Sequence, residues 1–411
     1  MDFYLGFLDN NGPNGFVQLS VVANDSGSCK INIPFFNISE SIAINGSNKN
    51  IYNISKDIEM NVTGIEKKGL KVSCDIDVSI YAMNYYMAYS EGYLAIPYQN
   101  LGRKYIAATY SNINFTIIML NNVSVGVVCT EDNTTVTLFL KIKNGVLYFG
   151  GHAYQSNDSL TVNLNAYETF YFSNTHDLSG TLITSTKPVA VFSGGDISIN
   201  KSSQYTDYTT EMVLPSEQLG KNFVVPLLYD SFCLYRVLAD DDTTVTIQNS
   251  TSRSTKSLVK GEFLEISNFT ASTVESSTGV LVQLYCAKQH TTCNYAMTTV
   301  PSIQHFKTNY RFDVVSNYPL DRFPPDNFYI TIIITADDKH DLNLDGKKGI
   351  VFNEKSKIKL VGKKYSILSH ELSVGIHEIE HVGRVPFGLI IYGRNPLDGY
   401  AYPAGLKLNS Q

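Results

Sequence analysis

Short segments in which apolar and polar side chains alternate recur along the chain, as in TTVTL from Thr134, TTVTI from Thr243 and DLNL from Asp341. A period of two sends every second residue to one face, the mark of a half-buried β-strand. Between these segments lie apolar runs entered through turns: DIDVSIYAMNYY from Asp75, TKPVAVFSGG from Thr186, TGVLVQLYC from Thr278 and RVPFGLIIYG from Arg384. They are rich in β-branched and aromatic residues and bounded by turn formers, so they read as strands as well. Asn144-Gly145 and Asp345-Gly346 have the chemistry of tight hairpin turns with positive φ. No long stretch carries a helical period. The pattern predicts an all-β chain.

The elements also repeat. An acidic turn leading into an alternating strand occurs as ANDSGSCKI from Ala23, CTEDNTTVTL from Cys129, LADDDTTVTI from Leu238 and TADDKHDLNL from Thr335. Each apolar run is followed by a third anchor: LAIPYQNLGRKYIA from Leu94, MVLPSEQLGKNFVV from Met212 and TTVPSIQHFKTNYRF from Thr298. The opening DFYLGF matches the end of that anchor, which places a unit boundary at the start of the chain. The anchors divide the chain into residues 1–92, 93–208, 209–297 and 298–411. Several short strands per unit fit a β-sandwich, so we expect a tandem array of about four β-sandwich-like repeat units with short connections. A four-bladed propeller is the rival, but its blades run to about 40–45 residues, which favours stacked sandwiches in a row.

Within the last unit, His377-Glu378-Ile379-Glu380-His381 spells H-E-x-x-H, a zinc-protease signature when it lies on a helix. The repeat argues otherwise. LSVGIHEIEH from Leu372 aligns with LVKGEFLEIS from Leu258, a strand position. On a strand, residues four apart lie about 13 Å from each other, too far for two imidazoles to share one ion. We therefore assign no catalytic residue and no metal ligand.

Composition adds the setting. A net charge of −6 with lysines read as scattered, and no basic stripe, argues against nucleic acid as the main partner. No apolar run reaches the length of a membrane span. Twelve N-x-[S/T] sequons begin at Asn24, Asn37, Asn45, Asn53, Asn61, Asn114, Asn122, Asn133, Asn157, Asn200, Asn249 and Asn268. With six cysteines, an even number suited to disulfides, they predict a secreted or cell-surface glycoprotein bearing N-linked glycans, its signal peptide already removed. Cys286 and Cys293 enclose a short loop and are the first expected pair; Cys29 and Cys74 share a unit, which leaves Cys129 with Cys233. Other connectivities stay open.

The remaining motifs have plain explanations. Asp341-Leu-Asn343-Leu-Asp345-Gly346 matches the first half of a calcium loop, but Phe352 stands where its bidentate glutamate belongs, so a strand and turn are expected. The acidic runs Glu131-Asp132, Asp240-Asp241-Asp242 and Asp337-Asp338 are expected to initiate turns, with weak calcium binding as the alternative and no other cofactor. Paired glycines in GGHAY at 150–154 and FSGGD at 192–196 read as turns or bulges. Tyrosines in MNYYMAY at 83–89 and YDSFCLY at 229–235 are candidates for a recognition surface or for packing between units.

The segments VVCTEDNTTVTL, DLSGTLITSTKPVAVFSGG, LPSEQLGKNFVVPLL, YRVLADDDTTVTI and VPFGLIIYGRNPLDGYAYPAG resemble, in this order, the amino-terminal domain of IgG Fc-binding proteins. The resemblance runs from about residue 2 to residue 408, and GIHEIEH is similar to that family's terminal G-x-H-x-I-x-H segment. It implies a secreted or surface protein, often mucus-associated, that binds without catalysis; it supplies no functional residue. The expectation is thus a non-catalytic module that binds an extracellular protein or glycoprotein, or itself. The alternatives are an extracellular hydrolase acting on glycans or proteins through a metal or a carboxylate pair, and a self-assembling matrix or filament component.

Overall fold

The alternating segments form strands whose inward residues meet across a ladder. Thr134–Phe139 pairs with Ser159–Leu164 so that Val136 faces Val162 and Leu138 faces Leu160, all four buried. On the outer side the Thr137 and Thr161 hydroxyls lie 3.1 Å apart. A computed structural model describes residues 1–10, 15–86, 89–111, 122–197, 207–228, 231–267, 270–288, 295–316, 327–394 and 399–409. Among them there are strands and five single-turn 3-10 helices, with no α-helix, and no helix long and apolar enough to cross a membrane.

Residues 1–92, called the first quarter, build two four-stranded sheets. An eight-stranded sheet fills the second quarter and takes in Gly64–Glu66 from the first. The third quarter forms a seven-stranded sheet, and the fourth has sheets of three and five strands.

Each long apolar run pairs antiparallel with the shorter strand that follows it. Val78–Tyr86 pairs with Tyr89–Leu94, Leu182–Ile197 with Asp207–Met212, Ser272–Lys288 with Tyr295–Thr299, and Gly388–Arg394 with Gly399–Pro403. These four shorter strands are the central strands. They pack in a cycle: first on second, second on third, third on fourth, and fourth back on first. Each of the three expected unit boundaries falls inside one of them. In the second pair the approach is so close that a Cβ on Gly194 would sit 2.0 Å from the Thr209 carbonyl oxygen, which explains a glycine there.

The apolar cores follow the same cycle. The first quarter's core includes Phe192, Tyr208 and Met212, the second's includes Leu238 and Leu281, and the third's includes Ile390 and Tyr392. The fourth quarter's core closes the circle with Val22, Tyr81, Met83 and Tyr85. Asp313 is fully buried on this last seam, 2.9 Å from Lys49 and 2.6 Å from the Ser20 hydroxyl. The carboxy-terminal segment seals the arrangement: Asn100 and Gln218, on the single turns after the first two central strands, both donate to the Asn409 carbonyl. Where the sequence suggests units in a row, the sheets instead close into a ring through their central strands. Contacts between residues some three hundred positions apart close it, and no local pattern encodes them.

Candidate functional site

His377 and His381 lie on the strand Gly375–His381, which pairs with Asn309–Val314 on one side and Leu342–Leu344 on the other. Both face inward with Ile379 between them, while Glu378 and Glu380 face solvent. His377 is held by Asp345 at Nδ1 (2.8 Å) and the Ser373 carbonyl at Nε2 (2.9 Å). His381 meets the Asp338 carbonyl at Nε2 and accepts from the Val385 amide at Nδ1. Each ring has both nitrogens engaged and positions its own loop. Glu378 pairs with Arg311, and Glu380 accepts from Asn343. The half calcium loop is likewise a strand with Leu342 and Leu344 buried, then a two-residue turn with φ of 51° at Asp345 and 72° at Gly346.

Two of the acidic turns act as staples for a neighbouring turn, while Asp338 accepts from the Thr335 hydroxyl within its own. Asp132 accepts from the Ala166 amide and Asp242 from the Lys260 amide, each the second residue of a matching turn whose first amide donates to Glu168 or Glu262. Gly150 and Gly151 form a hairpin turn with φ of 57° and 78°. The tyrosine clusters go largely inside: Tyr85 donates to the Ser316 carbonyl across the seam between first and fourth quarters, and Tyr235 is fully buried. Tyr229 lies outside the described residues.

The cysteines require a correction. Cys29 is joined to Cys74, but Cys286 is joined to Cys233, not to Cys293, and Cys129 carries a free, buried thiol. Both bridges connect directly opposed residues of adjacent antiparallel strands, with Cα atoms 4.1 Å apart. Ladder register decided the pairing, not closeness along the chain. Cys129 lies at the end of another strand, and burial pushes its thiol up. Cys293 lies outside the described residues. Of the sequon asparagines, Asn24, Asn37, Asn45, Asn53, Asn61, Asn133 and Asn157 are exposed, and Asn122 and Asn249 half-buried. Asn114, Asn200 and Asn268 are outside the described residues.

Two charged constellations emerge that sequence reasoning missed. The first sits where the central strands meet. The third central strand has its Tyr295, Met297 and Thr299 amides taken by carboxylates: Asp207 at 3.0 Å, Glu91 at 3.0 Å and Glu211 at 2.7 Å. Glu91 also accepts from the Ala401 amide at 3.0 Å, so one side chain ties three central strands. The three carboxylates stand in for a missing neighbouring strand along that edge. Burial pushes Glu91 well above the usual carboxylate range and Glu211 up to about 8, with the amide donors opposing the shift. The signal in the sequence is a glutamate inside an apolar run that leads to proline, in EGYLAIP from Glu91 and EMVLP from Glu211.

The second constellation joins the second and third quarters. Buried Arg236 donates from Nη1 to Asp177 (2.6 Å), the Thr109 carbonyl (2.7 Å) and Ser179 (2.8 Å), and from Nε to Glu265 (2.9 Å). Its guanidinium lies 4.3 Å from the Phe263 ring centre and 4.7 Å from that of Tyr110. Above it opens a groove of about 650 Å³, lined by Lys141, Lys143, Ser156, Glu262 and Phe263 among others. The mixed-sign rim around an aromatic ring over a rigid ionic floor suits recognition of a polar surface. Asp177 and Glu265 are committed to Arg236, so their chemistry is structural.

The family model for IgGFc binding protein matches residues 91–393, nearly three quarters of the chain. The chain belongs to the IgGFc binding protein family. It is 27% identical over 231 residues to the human IgGFc-binding protein, which covers 56% of this chain and 4% of that relative. The chain thus corresponds to a small part of the relative's length. Among solved structures, Escherichia coli alpha-2-macroglobulin activated by porcine elastase overlaps 98% of this chain and 43% of its own, at 11% identity and a TM-score of 0.14. That likeness carries no argument about the fold. The family match begins at Glu91, in the first central strand, and ends at Gly393, in the apolar run that pairs with the fourth.

Proposed function

We propose that this chain is an extracellular, non-catalytic binding module that recognises a protein or glycoprotein ligand through its surface. Membership of a family named for binding IgG Fc carries the reading. Two disulfides suit an oxidising compartment, and seven exposed sequon asparagines are accessible for N-linked glycans. The groove between the second and third quarters is the face assigned to the ligand, with Lys143 and Glu262 on its rim. A secreted or cell-surface placement in mucus or matrix fits such a module. We keep residues 1–92, 93–208, 209–297 and 298–411 as its proposed repeat units, each contributing one side of the ring.

The experiment is surface plasmon resonance of the intact chain against IgG Fc fragments and, in parallel, against an extracellular glycoprotein fraction from its source. Saturable binding to either, weakened by Lys143→Glu and Glu262→Lys, is expected. Absence of binding to both, with turnover of peptide or glycan substrates instead, would replace this reading by a hydrolase.

A further inference from the structure

The last quarter holds a concentration of cations whose arrangement is set by strand register. Between residues 347 and 364 there are seven lysines and a single acidic residue, Glu354, in a chain whose net charge is −6. The strands Asn353–Leu360 and Lys363–Leu372 form a hairpin at the edge of the five-stranded sheet. Their alternation sorts the side chains: Ile358, Leu360 and Tyr365 pack into the core, while Lys357, Lys359 and Lys364 are exposed on the other side. Lys359 lies directly opposite Lys364, and Lys363 stands exposed beside the turn. Glu354 is already engaged by Lys339 at 2.7 Å and more loosely by Lys357 at 3.5 Å. Among the described residues none of Lys359, Lys363 and Lys364 is in an ion pair.

This arrangement is costly to the fold. Like charges directly opposite on a ladder destabilise it. The turn adds to this: Val361, 60% exposed, is held at φ 45°, where asparagine or glycine is the relaxed choice. Lysines do protect an edge strand from pairing with other chains. That role accounts for Lys357 and Lys359 on the edge, but not for Lys363 and Lys364 on the strand inside it. Local violations of this kind concentrate at functional sites.

We propose that this hairpin is a docking surface for a linear sulfated polysaccharide. Alternate residues on a strand are about 7 Å apart and cross-strand neighbours about 5 Å. Lys357, Lys359 and Lys364 therefore offer a short two-dimensional row of cations to an extended chain of repeating anions. The hairpin's one aromatic residue, Tyr365, is buried on the opposite side, so the lysines have no exposed aromatic anchor beside them on these two strands. The sequons end at Asn268, so no glycan acceptor lies in this quarter to cover it. The choice of a sulfated glycan over a nucleic acid rests on the extracellular placement proposed above.

The test is titration calorimetry of the full chain with three probes at low and high salt: a heparin-derived oligosaccharide, its desulfated counterpart and a single-stranded oligonucleotide of equal charge. Salt-sensitive binding of the sulfated probe alone is expected. Combining Lys357→Thr, Lys359→Thr and Lys364→Thr weakens it roughly tenfold or more, while Lys256→Thr on an exposed strand of the third quarter leaves it unchanged. The triple variant melts no lower than the native chain and keeps its binding of Fc or glycoprotein, so failure here and failure of the binding-module reading separate. Equal affinity for sulfated and desulfated probes, tighter binding of the oligonucleotide, or an unaffected triple variant would each overturn the proposal. The last result would leave the lysines as edge protection only.

Discussion

The centre of the ring and the hairpin tip of its fourth quarter handle charge in opposite ways. At the centre, Glu91, Glu211 and Asp207 are buried, and each accepts a backbone amide of the third central strand. At the tip, Lys357, Lys359 and Lys364 are exposed, and two of them oppose each other directly. Buried polar groups survive only when their hydrogen bonds are made, so the central carboxylates are tied to structure. Lys359 and Lys364 have no ion pair among the described residues and are free to meet something outside the molecule. The difference separates what closes the ring from what the ring can display.

Breaking the centre has the largest expected effect. Glu91→Ala removes the acceptor of the Met297 and Ala401 amides, both buried, at about 1–3 kcal/mol for each orphaned donor. Urea unfolding checks this, and Glu91→Gln, which keeps an acceptor, should lose clearly less. A loss for Glu91→Ala no greater than for an exposed glutamate such as Glu378 would remove the centre's structural role.

Next comes Arg236, a buried charge of the opposite sign that stays charged among its partners. Arg236→Ala leaves Asp177 buried without its cation and should destabilise the protein by about 3–5 kcal/mol. Calorimetric melting reads it; Arg236→Ala with Asp177→Ala should recover part of the loss, and a strictly additive double variant would contradict the pair.

The smallest effect belongs to the tip, and it has the reverse sign. Lys359→Thr relieves the repulsion from Lys364 and should stabilise the protein by about 0.2–1 kcal/mol at low salt, the gain shrinking as salt rises. Denaturant midpoints at two salt concentrations decide it. A destabilised variant would mean that Lys359 makes a contact the fold needs.

Much of the fold is legible in the sequence, for reasons visible in particular residues. The alternation of Thr134 to Phe139 fixes both its strand and its buried face, because a period of two has one geometric meaning. The repeat alignment with LVKGEFLEIS places His377 and His381 on a strand, and the structure has them on one. Ring closure is not legible: Tyr81 donates to the Ala404 carbonyl, and neither residue's neighbourhood announces the other. The disulfide pairing is not legible either: loop length points to Cys293, whereas ladder register sets Cys286 opposite Cys233. The role of the central glutamates is hidden in the sequence because it depends on strands that meet only after folding. The lysine cluster is visible in the sequence but its row is not, because only the hairpin register brings Lys359 opposite Lys364.

The claim that buried carboxyl groups hold the central strands together is tested most directly by the pH dependence of unfolding. An unfolded glutamate gives up its proton near 4.5, whereas Glu211 in the fold keeps it to about 8 and Glu91 is also raised. Between those limits the folded state carries more protons, so these groups' contribution is fully present below about 4.5 and is lost as pH rises toward 8. Each group adds at most about 1.4 kcal/mol per pH unit to that decline. Unfolding free energies from pH 5 to 8 should fall more steeply for the native chain than for Glu91→Gln combined with Glu211→Gln. Identical slopes for the two proteins would contradict the account.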